Sequence, residues 1–132
     1  YWAITQNKPD NKTGKLIHWL RKNPKNNKST HFSKETANTK KAILNYKILK
    51  TLDNYYLLEI KMESGRHHQI RCQLQAIGCP IKGDIKYGSK RTNKDGSIDL
   101  HARNLQLIHP VTKKEIDVTA PVRDEKIWKS CI

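Results

Sequence analysis

At Gly65 the hydrophobic period of this chain changes from that of a strand to that of a helix. Before it, Ala42 to Leu52 alternates, with Leu44, Tyr46 and Ile48 on one face. Tyr55 to Met62 alternates again, with Leu58, Ile60 and Met62 on one face, and Asp53-Asn54 lies between the two runs. That pattern is a β-hairpin signal. After Gly65, Ile70, Leu74 and Ile77 recur at i, i+4 and i+7, which predicts a helix from about His68 to Ile77. Gly78 supplies the stop and Pro80 prevents continuation. Strand pairs with one central helix give an α+β unit with a mixed or antiparallel sheet.

The flanks are less regular. Tyr1 to Thr5 alternates weakly and reads as a strand cut short; Leu16 to Leu20 is a short apolar stretch, an edge-strand candidate. Residues 21–41 are rich in Lys, Asn, Ser and Thr and contain Pro24, which predicts an exposed, mobile basic loop. Residues 80–99 are irregular, with turns at Gly83, Gly88 and Gly96. Leu100 to Ile108 and Glu115 to Val118 look like another hairpin, and the tail from Asp124 could form a short helix docked by Ile127 and Trp128. At 132 residues the chain supports one domain at most, with no internal repeat.

Net charge is +14, and residues 1–50 hold twelve Lys/Arg against two acids. Such a balance points to a polyanion, RNA or DNA before a membrane surface. A compositional bias toward Lys and Asn is the competing explanation, since lysines number twenty and arginines six. The bias does not explain where the arginines stand. No run of eighteen apolar residues predicts a membrane helix. Cys72, Cys79 and Cys131 make an odd count without a C-x-x-C pair, so a disulfide framework is not expected and a reducing cytoplasm fits.

Arg71 falls in the first turn of the helix, where the macrodipole disfavours a cation by a few tenths of a kcal/mol. An anion is therefore expected beside it, either a buried carboxylate or a phosphate. Arg66, His67, His68 and Gln69 crowd one turn. They read either as phosphate and base-edge ligands for RNA or as a capping turn of solvated polar groups. The histidines with Cys72 and Cys79 do not have metal-site spacing, so no metal is expected. Gly83-Asp84 and Tyr87-Gly88 read as a tight loop, with Asp84 as local turn structure. Lys82 and Lys86 are candidate phosphate contacts, and His101 a satisfied histidine on a strand.

These residues also carry a resemblance. G-R-H-H-Q-I-R (65–71), G-C-P-I-K-G-D-x-K-Y-G (78–88), Leu100-His101-Ala102 and His109-Pro110 resemble, in order and spacing, the RluA-type RNA pseudouridine synthases. Tyr1-Trp2-Ala3-Ile4 looks like that family's K-x-Y-x-A segment without its lysine. The resemblance implies a large mixed sheet with an RNA cleft and a reaction without a cofactor. An aspartate nucleophile attacks the uridine, the glycosidic bond breaks, the uracil turns and C5 bonds to the ribose. Arg71 would hold that aspartate and Tyr1 would line the base pocket. The family's nucleophile lies in an H-R-L-D-like motif, and no His-Arg-x-Asp occurs here. The chain therefore reads as the C-terminal part of a synthase catalytic domain, inactive alone, with Arg71 lacking its partner. The expected partners are rRNA or tRNA and the missing N-terminal part of the same protein. The alternative is a non-catalytic RNA-binding module on the same scaffold.

Overall fold

A computed structural model describes residues 1–108, 115–122, 126–129 and 131. The elements are β1 (Trp2–Thr5), β2 (Thr13–Asn23), β3 (Lys28–Phe32), β4 (Lys40–Thr51), β5 (Tyr56–Met62), α1 (Gln69–Ala76), a 3₁₀ turn (Ile85–Tyr87), β6 (Leu100–His101), β7 (Asn104–Ile108), β8 (Glu115–Thr119) and α2 (Lys126–Lys129). Six strands form one sheet in the order β3-β2-β4-β5-β1-β6, and each neighbouring pair is antiparallel. β7 and β8 pair in a separate hairpin. The expected α+β class and central hairpin are both present. His109-Pro110 and the turn at 110–114 lie outside the described residues.

Two expectations are corrected. Leu16–Leu20 is not short: it is the middle of an eleven-residue strand, paired with β4 from Thr13 to Leu20 and covered on its other side by β3 only from Trp19 onward. Residues 21–41 are not one mobile loop. Arg21, Lys22 and Asn23 pair with Thr30, Ser29 and Lys28, so the stretch is mostly the distal half of a β-hairpin. Its asparagines build the turn. Asn23 Oδ1 accepts the Lys25 N–H at 3.0 Å and Asn26 Oδ1 accepts the Lys28 N–H at 3.1 Å. Asn27 takes φ 52°, the left-handed region its short polar side chain tolerates. The composition that suggested a loop thus serves a turn and a polar edge strand, whose lysine discourages edge-to-edge pairing.

α1 lies on one face of the sheet. It buries Ile70 and Leu74 against Ala3, Leu44, Tyr46, Ile48, Leu58, Ile60 and Ile81. Its C-terminus is a Schellman turn: the Cys79 N–H reaches Leu74 O at 2.9 Å and the Gly78 N–H reaches Gln75 O at 2.9 Å, with Gly78 at φ 77°. On the opposite face, Ile4 and Leu57 pack with Trp128 and Cys131. Trp128 is fully buried, so the tail docks as expected.

Candidate active site

The geometry around Arg71 is set by the segment C-terminal to α1. Past the helix stop the chain returns along β1, with Thr5 bridging Ile81 and the Lys82 N–H donating to Ile4 O at 2.8 Å. It then turns at Gly83, which has φ +88°. A Cβ there would stand 2.7 Å from Ser97 O, so the turn admits only glycine. The turn swings Asp84 back under the first turn of α1. Asp84 is 1% exposed and takes the guanidinium side-on: Nε donates to Oδ2 at 2.8 Å and Nη2 to Oδ1 at 2.8 Å. This corrects the expectation that Arg71 lacks a partner and that Asp84 serves local structure alone. The anion expected beside a cation at a helix N-terminus is a buried carboxylate of the same chain. The bidentate hydrogen bonds to Asp84 raise the Arg71 pKa against the cost of burial.

Tyr87 completes the support. Its ring lies 4.8 Å from the Arg71 guanidinium carbon, and its hydroxyl accepts the Ser29 N–H at 2.8 Å. His68 Nδ1 lies 2.7 Å from that hydroxyl, and His68 Nε2 lies 3.3 Å from Arg71 Nη1. Since Arg can only donate, Nε2 is the accepting nitrogen and the neutral ring carries its proton on Nδ1. Burial, then the positive charges of Arg71, His67 and Lys86, bring the His68 pKa down to about 4. His68 sits in the left-handed region at φ 50° as the N-cap of α1, and His67 stacks on it at 3.7 Å.

The remaining candidates divide. Arg66 and Lys86 are exposed, and His67 lies at the surface between Ser29 and Asn27. Two are structural. Gln69 is buried: Oε1 accepts from Ser64 Oγ at 3.0 Å and from the Arg66 N–H at 2.9 Å, while Nε2 donates to Ile43 O at 2.9 Å. It ties the loop before α1 to β4 and has no free edge for RNA. Lys82 is likewise committed, pairing with fully buried Asp99 at 3.1 Å and donating to Asn93 at 2.8 Å. Tyr1 is not frayed at its backbone, since its amino group donates to Ile60 O at 2.9 Å and its carbonyl accepts the Ile60 N–H at 2.8 Å. By alternation with buried Ala3 it belongs to the α1 side of the sheet, with its side chain 41% exposed. No contact joins it to Arg71 among the described residues. His101 Nε2 lies 3.1 Å from Ala120 O, the satisfied role expected. No group of metal-ligating side chains occurs among the described residues.

The sequence model described as RNA pseudouridylate synthase matches residues 1–76, more than half of the chain. This chain belongs to that family. The matched stretch runs from Tyr1 through Arg71 and ends at Ala76, before Asp84. The ribosomal large subunit pseudouridine synthase C of Rickettsia felis is 38% identical over 123 residues, covering 91% of this chain and 40% of that protein. An uncharacterized RNA pseudouridine synthase of Bacillus subtilis, YlyB, is 34% identical over 90 residues, covering 68% of this chain and 30% of that protein. The chain thus spans well under half the length of these relatives. Two human structures, RNA pseudouridylate synthase domain containing 1 and domain containing 4, superpose with TM-scores of 0.75 and 0.73 at 21% identity. Each alignment covers 98% of this chain, with 56% and 59% of the human chains, and shows that the family's fold is kept.

Proposed function

We propose that the protein carrying this chain isomerises uridine to pseudouridine in structured RNA, rRNA or tRNA, in the cytoplasm, and that this chain supplies the arginine side of its active site. The supporting observation is the unused edge of Arg71. Of five guanidinium N–H donors, Nε and one of Nη2 serve Asp84 and one of Nη1 faces His68. Among the described residues one donor on each terminal nitrogen remains unused, and the side chain keeps 20% of its surface accessible. A second carboxylate can therefore dock on Arg71 without displacing Asp84. That is the place for the nucleophilic aspartate that the family supplies upstream of the K-x-Y-x-A segment. An opposite charge within about 4–6 Å keeps such a carboxylate ionised, which a nucleophile requires. Asp84 and Tyr87 fix the guanidinium plane so that the carboxylate meets a preset fork.

The test is single-turnover pseudouridine formation on saturating unmodified RNA by the complete protein, scored by carbodiimide modification. Arg71→Ala should lower the rate roughly a hundredfold or more, at 1.36 kcal/mol per factor of ten. Arg71→Lys should also fail, because a point ammonium cannot bind two carboxylates in one plane. Wild-type protein that binds RNA but forms no pseudouridine would favour a non-catalytic binding module.

A further inference from the structure

Where the β2–β3 hairpin meets the loop before α1, the surface encloses a cavity of about 340 Å³. Lys22 and Lys40 from the hairpin side, Arg66 and His67 from the loop, and Ser29 and Asn38 line it. No acid stands among these lining residues. Lys15, Lys61, Arg71 and Lys82 each have a carboxylate partner, whereas Lys22, Lys40 and Arg66 have none among the described residues. The cations are not all loose. Arg66 Nε donates to Lys41 O at 2.9 Å, which anchors the guanidinium and leaves its terminal nitrogens unbonded among the described residues. His67 is held between Ser29 Oγ at 3.0 Å and Asn27 Oδ1 at 3.1 Å, and buried Ser29 also donates to His67 O at 2.9 Å. Burial, then the charges of Lys22, Lys86 and Arg71, keep His67 below its ordinary pKa, as a region of positive potential must.

Three converging cations without a counter-charge repel one another unless an anion joins them. The space is larger than a single ion needs and reaches the lower end of ligand sites, about 300–1,000 Å³. We propose that this cavity is a phosphate subsite, distinct from the Arg71 site, that seats a backbone phosphodiester of bound RNA between Lys22, Lys40 and Arg66. The proposal rests on the reading that the protein acts on RNA. It makes the hairpin a grip that fixes the RNA's register without touching the reacting uridine.

The test is the affinity of the complete protein for a short labelled RNA hairpin, by fluorescence anisotropy across a salt series. Lys22→Gln/Lys40→Gln should weaken binding about threefold to tenfold at low salt and flatten the log–log salt slope by about 0.7 or more. Lys22→Arg/Lys40→Arg should keep both values near wild type. Lys8→Gln/Lys12→Gln removes the same charge from exposed positions before β2 and should change little. Single-turnover rates at saturating RNA should be at the wild-type value in the Lys8→Gln/Lys12→Gln control. An equal loss in the Lys8/Lys12 variant would overturn the proposal, since charge anywhere would then suffice. So would wild-type affinity in Lys22→Gln/Lys40→Gln, including the case where inorganic phosphate binds the cavity but RNA affinity ignores it. These readouts are affinities, so they stand even if no pseudouridine is formed.

Discussion

Arg71 and Asp84 form an ion pair in which one member is almost wholly buried and the other mostly so. Removing one partner of such a pair costs about 3–5 kcal/mol, because the other charge stays desolvated and unpaired. Asp84→Ala should therefore destabilise the protein by about 3 kcal/mol in urea unfolding, the lower figure because Arg71 keeps some contact with water. It should also lower the catalytic rate while leaving RNA affinity nearly intact, which a merely structural loss would not separate. A histidine gives a second measurement. Folded His68 holds its proton only below about pH 4, against 6.5 for the free side chain. Between those values the unfolded chain binds more protons than the folded one, so stability falls as pH drops through that window. Melting temperature should decline from about pH 6.5 towards 4. His68→Asn, which tolerates φ > 0, should flatten the decline.

At this scale Arg71 is legible in the sequence and its partner is not. Helical spacing places Arg71 in a first turn, and the macrodipole demands an anion. Which anion depends on a turn thirteen residues later that no periodicity encodes. The clue is the G-D-x-x-Y-G string at 83–88, where Asp84 and Tyr87 stand one short turn apart. Gln69 and Lys82 mislead for a related reason. An amide and an ammonium suit RNA and a buried peptide group equally well, and burial decides between them.

Among the elements, the two glycine turns around the site differ in a way that mutation should separate. Gly78 and Gly83 both have positive φ, yet a Cβ at Gly78 meets nothing within 4 Å, while one at Gly83 meets Ser97 O at 2.7 Å. Gly78→Ala should cost about 1–2 kcal/mol, the left-handed penalty alone. Gly83→Ala should cost more, because backbone must also move. It should lower activity too, since the turn aims Asp84. Paired denaturation curves and single-turnover assays check both. The β4–β5 hairpin and α1 are readable because their periods are local. The β2–β3 hairpin is not, because Asn and Lys conceal strands that pairing of Trp19–Asn23 with Lys28–Phe32 holds in place.

At the scale of the whole molecule, the twelve acids of the chain include none in a His-Arg-x-Asp context. The 132-residue chain alone should bind RNA in a salt-dependent manner and form no pseudouridine. Total RNA lacking the modification, incubated with the chain and assayed chemically, checks this; new pseudouridine would show that another acid can act as nucleophile.

The position of β1 bears on the order of folding. β2, β4 and β5 meet neighbours close in sequence, but β1 lies between β5 and β6, pairing Trp2 with Glu59 on one side and His101 on the other. The first strand of the chain thus has no partner nearer in sequence than β5, which pairs with all four of its residues. Loops that long close late, so the transition state for folding should contain the β4–β5 hairpin and exclude β1. Ile4→Ala should speed unfolding and barely slow folding, with a φ-value near zero, while Leu58→Ala should slow folding measurably. Stopped-flow chevrons on the two variants decide it. The strand that follows Tyr1 would then be the last to arrive on folding and the first to leave on unfolding.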